Sequence, residues 1–183
     1  YAENIKTVIG FLWLQSHPAI SDLDVTRIPD LLSFHPEERP YELTIRLYQA
    51  IAAACVHWQQ FETATYYADL ALKYWKTKPK SDKASMVEKG RTEHLLNIIY
   101  RQQGDHPRAD FYLEQAAETL SHTGYIWQHS AIAFEYGRHF FAAGDLDLSV
   151  KWYRTALEEV LQLDDLLRHQ RVYHGLGLAL SMQ

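Results

Sequence analysis

The chain has 183 residues, 47% of them hydrophobic and 22% charged, a balance that fits one folded domain or a short array of stacked units and excludes a disordered tail or a collagen-like rod. Eighteen Lys and Arg against 23 Asp and Glu leave a formal net charge of −5, which argues against a segment that grips duplex DNA through its phosphates. A lone cysteine, Cys55, excludes an intrachain disulfide and a cysteine-only zinc site and agrees with a cytoplasmic location.

In chain order, a first helix is predicted over residues 2–15. Its apolar run, Val8 to Leu14, is much shorter than the roughly 20 residues a membrane-spanning helix needs, so a soluble protein is expected. The chain opens on Tyr1 rather than Met, so a preceding segment of a longer protein is expected. Pro18, Pro29, Pro36 and Pro40 mark residues 16–40 as an irregular connector with a short helix at about 27–34. From there, helices are predicted at about 41–58, 61–77, 84–103, 106–121, 126–142, 145–162 and 165–182, with no strands. The basis is apolar spacing of three and four, as in Leu95, Leu96, Ile99 and Tyr100, or Trp152, Tyr153, Ala156, Leu157 and Val160. Gly104 and Gly144 follow such stripes, where a positive φ ends a helix, and Asp105 and Asp145 are placed to cap the next one. Residues Lys76 to Lys83 read as a basic solvated turn.

The chain repeats itself. Gly104-Asp105 and Gly144-Asp145 lie forty residues apart (144 − 104), and Leu96, Asn97 and Tyr100 recur as Tyr136, Gly137 and Phe140. Ala109, Leu113 and Ala116 recur as Ser149, Tyr153 and Ala156. An earlier copy carries Ile51, Ala52 and Cys55, then Ala64, Ala68 and Ala71, and a last one starts at Tyr173, Leu176, Gly177 and Leu180. This pattern resembles the tetratricopeptide repeat (TPR), two antiparallel helices per unit with a small residue at their close contact. The spacing here is longer than the usual period of roughly 34 residues. The consensus proline is missing near Ser121 and Leu161, and Gln59-Gln60 stands where the later copies have Gly-Asp. The resemblance implies an all-α fold, a right-handed solenoid of helix pairs. Its units are residues 41–83, 84–123, 124–163 and a truncated 164–183, preceded by the separate segment 1–40.

The motifs of common enzymes do not occur: the chain has no Gly-rich phosphate loop, no HExxH, no GxSxG and no CxxC. Its ten histidines lack the i, i+4 pairing that closes a metal site, and Cys55 falls where it packs inward. No enzyme activity, cofactor or metal is expected.

In a repeat array of this kind the first helix of each unit lines a concave groove. Counted back from the turns, the groove positions are Arg46 and Gln49; Arg91, His94, Ile98, Arg101 and Gln102; Ala131, Phe134, Arg138 and Phe141; then Arg171 and His174. Arg-x-x-His occurs at Arg91 and at Arg171, two units apart. A groove rich in arginine suits an acidic peptide or a free carboxylate, unless neighbours such as Glu93 and Glu135 take up the charges. Gln49 and Ala53 at the leading positions differ from the Lys and Asn clamp of chaperone-binding relatives.

The long repeats resemble the C-terminal sensor half of the RRNPP peptide-responsive regulators of Gram-positive bacteria. That resemblance implies a bound linear peptide, a DNA-binding domain outside this chain, and a peptide-holding amide at Asn97, which stands where a small residue is usual, so its amide either bonds across helices or faces the groove. The competing expectation is a protein-interaction scaffold with no small effector. Tyr173, Leu176 and Leu180, with no helix to follow them, are expected to form a homodimer contact.

Overall fold

In the computed structural model, which describes residues 41–77, 82–163 and 165–183, the chain is all-α. The described helices are α1 (Tyr41–His57), α2 (Phe61–Thr77), α3 (Lys83–Gln102), α4 (His106–Leu120), α5 (Ile126–Ala142), α6 (Leu146–Val160) and α7 (Leu166–Ser181). Each bound falls within two residues of the sequence expectation, because apolar period and turn chemistry mark the same segments. The expected helix at 2–15 and the connector 16–40 lie outside the described residues.

Helices pair in order as α1 with α2, α3 with α4 and α5 with α6, and α7 closes on α6. A second set of contacts runs α1 to α3, α3 to α5 and α5 to α7, so the odd-numbered helices form one layer. The core runs between the layers in patches. Ile51, Cys55, Ala64, Tyr67, Leu96 and Ala109 form one, Leu113, Ala116, Leu120 and Ile132 the next, and Ala133, Ala156, Val160 and Val172 a third. Cys55 is fully buried in the first, which pushes its thiol up to about 11 and keeps it protonated.

Two seams show why small residues recur. Asn97 Nδ2 donates to the Ala109 carbonyl at 2.9 Å, tying α3 to α4. Forty residues on, Ser149 Oγ donates to the Gly137 carbonyl at 2.9 Å, tying α5 to α6 with the roles of the helices exchanged. At Gly137 an added Cβ would lie 2.6 Å from Tyr153 Cδ1, so the ring of α6 rests directly on the α5 backbone. The next joint, from one hairpin to the following one, uses histidine: His129 Nε2 donates to the Leu120 carbonyl at 2.8 Å, and His169 Nε2 to the Val160 carbonyl at 2.7 Å. Each imidazole adds a donor to a carbonyl at the end of the preceding helix that also accepts from a backbone N–H, of Thr123 and of Leu163 respectively.

The turns obey one rule. Asp105 N–H donates to the Tyr100 carbonyl and Asp145 N–H to the Phe140 carbonyl, both at 2.9 Å, around Gly104 and Gly144 at φ +79° and +80°. The Oδ1 atoms of Asp105 and Asp145 then accept from the backbone N–H of Arg108 and Leu148. In the first turn Gln60 N–H donates to the Cys55 carbonyl at 2.8 Å, and Gln59 is forced to φ +59° without a glycine's freedom.

We therefore expect Gln59→Gly to raise stability by about 0.5–1 kcal/mol, and Gly144→Val to lower it by more than about 1 kcal/mol. Urea unfolding midpoints of the two variants check both signs.

Candidate functional site

A cavity of about 490 Å³ opens on the layer of odd-numbered helices and takes side chains from α1, α3, α5 and α7. The helical repeat explains its composition: residues three, four and seven apart share a face. Thus Arg91, His94, Leu95 and Ile98 of α3 stand beside Gln128, Ala131, Phe134 and Glu135 of α5. Ala50 and Ala53 of α1, Leu95 and Ile98 form an apolar floor, and arginines rim it.

Two buried carboxylates organise that rim. Glu88 Oε1 accepts from Arg46 Nε at 2.8 Å and Nη2 at 2.7 Å, and from Arg91 Nη1 at 3.2 Å. The Gln128 carboxamide, turned with its oxygen toward Arg91, accepts from Nε and Nη2 at 2.9 and 2.8 Å. Glu135, 3% exposed, accepts from Arg101 Nη1, and its other oxygen lies 3.9 Å from both Arg138 Nη1 and His94 Nε2. A third carboxylate, Asp165, accepts from Arg168 Nε at 3.3 Å. Five guanidiniums thus share three carboxylates, and the unpaired Arg171 makes six on this face, an excess of three positive charges (6 − 3).

Arg171 has neither a carboxylate partner nor a hydrogen bond; it sits 5.3 Å from the centre of the Phe134 ring. Trp127, 39% exposed, is flanked by Arg168 at 4.0 Å and Arg91 at 5.6 Å, and Arg168 Nη1 donates to the Trp127 carbonyl. The positive surroundings are felt at two groups. Burial, helped by Arg101, Arg168 and Arg171, pushes His94 down to about 4, so the ring is neutral at pH 7. Burial and the nearby Arg138 and Arg171 bring Arg101 down to about 10, where it stays charged. His94 Nε2 is buried without a hydrogen-bond partner.

Of the residues expected from sequence, the structure brings Arg46, Gln49, Arg91, His94, Ile98, Ala131, Phe134 and Arg171 to one cavity. Five expected residues need correction in detail. Asn97 is buried in the α3–α4 seam with its amide committed to Ala109, so it does not face the groove. Phe141, two turns beyond Phe134 along α5, packs against the cluster of Val150, Tyr153 and Ala179. His174 is exposed and outside the cavity wall. Arg101 and Arg138 flank the site but point their charge at Glu135. Gln49 reaches the cavity already engaged, donating to the Glu88 carbonyl and to Thr92 Oγ1 at 2.9 Å.

Sequence reasoning missed Trp127, Gln128, Arg168 and Glu88. The forty-residue register contained a signal for three of them, since Glu88, Gln128 and Arg168 occupy one position in successive units (128 − 88, 168 − 128). Among the described residues no three His, Cys, Asp or Glu cluster to hold a metal, and no helix is long and apolar enough to cross a membrane.

The fold is similar to one already solved, the crystal structure of BtubC (BKLC) from P. vanneervenii, with a TM-score of 0.73 at 15% identity over 97% of this chain and 73% of that one. At that identity the likeness concerns the fold alone. No protein-family model matches the chain. No curated protein sequence matches it either.

Two outcomes follow from the buried charges. Arg101→Ala strands Glu135 without its closest cation and is expected to cost about 3 kcal/mol, most of it recovered in the double variant with Glu135→Gln, whereas the more exposed Arg138→Ala costs less than about 1 kcal/mol. Urea titrations of the four proteins check this. For His94, the folded pKa lies below the ordinary 6.5, so the unfolded chain binds the extra proton first. Stability is therefore lost as pH falls from about 6.5 toward 4, by about 2 kcal/mol at pH 5. The difference in unfolding free energy between pH 7 and pH 5 should shrink by that amount in His94→Gln.

Proposed function

We propose that this chain is a peptide-binding repeat domain of tetratricopeptide type, the ligand-sensing part of a bacterial transcription regulator whose DNA-binding domain lies outside it. The observation that carries the reading is the cavity itself. Helices α1, α3, α5 and α7 each contribute side chains to a trough with an apolar floor and a polar rim, open along one side. An extended backbone laid across it meets a new helix with every few residues, and arginine is suited to bind its acidic groups bidentately. Coupling to a DNA-binding domain follows in this reading from the stacked layer. A ligand that touches four helices at once favours one curvature of the array over others.

A scaffold role without an effector is the second reading, supported by α7. Leu166 and Leu167 are 74% exposed and Tyr173 53%, with Leu180 on the same helix also exposed. A second copy of the chain meeting that helix would make the homodimer. Leu176 takes no part in this stripe, because it packs on Val150 and Tyr153.

Calorimetric titration with a randomised hexapeptide pool tests the first reading. Saturable binding tighter than about 0.1 mM, lost on Phe134→Asp at unchanged helix content, is the expected result. The scaffold reading gains if the pool gives no heat while light scattering shows a dimer that Tyr173→Glu dissociates.

A further inference from the structure

The rim of the groove is not uniformly available to a ligand. Arg46 and Arg91 are held by Glu88, and Arg101 by Glu135, each in a position a ligand would have to break open. Arg168 is held by Asp165 and by the Trp127 carbonyl. Arg138, 3.9 Å from Glu135, is not part of the cavity wall. What remains in the wall is Arg171, a guanidinium steadied on the Phe134 ring at 5.3 Å with its donors unused, and His94, whose buried Nε2 lies 3.9 Å from Glu135 Oε1 and has no hydrogen-bond partner. Both belong to the wall of one cavity, beside the apolar floor of Ala53, Leu95 and Ile98.

The geometry points to a carboxylate-selective subsite: one carboxylate of the bound peptide pairs with Arg171 and accepts a hydrogen bond from His94 Nε2, and an adjacent apolar side chain of the peptide seats over Ala53, Leu95 and Ile98. This deepens the peptide reading above and rests on it. Three features support the match. The face carries three more positive than negative charges, so a neutral or basic ligand would leave the excess uncompensated. The neighbouring Arg168 and Arg171 already act on the His94 ring, which stays neutral and so offers an N–H without bringing a further charge. The orphaned Nε2 is also a buried polar atom that a ligand would satisfy. The carboxylate has two sources, an Asp or Glu side chain or the peptide's own C-terminus.

Fluorescence polarisation with four labelled hexapeptide pools tests this. Three pools have blocked ends and a central Leu followed by Asp, Asn or Lys, and the fourth ends in Leu-Asn with a free carboxylate. The Asp pool, the free-carboxylate pool or both should bind about ten-fold tighter than the Asn pool, with the Lys pool weakest. Whichever of the two is tighter names the source. Arg171→Gln, at an exposed position without partners, should bring the acidic pools to the Asn level, whereas Arg154→Gln on α6 should leave the preference intact. Equal binding of all pools, or a preference that survives Arg171→Gln, overturns the subsite and leaves the peptide reading standing. Failure of every pool to bind at about 1 mM overturns both.

Discussion

Helix α4 comes near enough to α3 for the Asn97 amide to reach the Ala109 carbonyl, and α6 near enough to α5 for Ser149 to reach the Gly137 carbonyl. That approach is the constraint on which the rest depends. It is available only where one side of the seam carries Ala, Ser or Gly, because a larger side chain would displace the Tyr153 ring or its equivalent Leu113. Holding each hairpin at one spacing also places the odd-numbered helices side by side in one layer. Their exposed faces then merge into a single trough.

The trough has an unusual electrostatic design for a protein of net charge −5. Glu88 and Glu135 are buried, each beneath two arginines drawn from different parts of the layer: Arg46 of α1 with Arg91 of α3, and Arg101 of α3 with Arg138 of α5. A buried carboxylate beneath two cations holds neighbouring units in register at the cost of desolvation, so such a pair specifies geometry more than it adds stability. Its second consequence is to divide the arginines by availability. Those nearest a carboxylate brace the wall, and Arg171 stands apart from them on Phe134.

Much of this was legible in advance. Apolar spacing located every described helix, and the turn glycines and capping aspartates placed their ends. The forty-residue register between the Gly-Asp turns identified which residues share a face, and eight of the expected groove residues line the cavity. The register failed where equivalent positions hold different chemistry. Asn97 and Gly137 are equivalent, yet one donates a side-chain hydrogen bond and the other offers only a carbonyl, and the spacing left open whether the Asn97 amide bonds across helices or faces the groove. His174 is equivalent to Phe134 and His94, but the wall ends before it. Trp127 escaped notice because it stands in the first turn of α5, ahead of the stripe that marks the groove face.

By itself the sequence determined the all-α class, the hairpin register, the turns and the preponderance of arginine along one face. These are local or periodic properties, set within one or two helical turns. Only the tertiary structure decided which charges are spent. Arg101 and Glu135 are 34 residues apart in the chain, and Arg46 and Glu88 are 42 apart, so their pairing appears only when α1, α3 and α5 are laid side by side. A guanidinium written in the sequence is the same whether it braces a buried carboxylate or remains open to a ligand. Distance through space, which the linear order does not encode, makes that distinction.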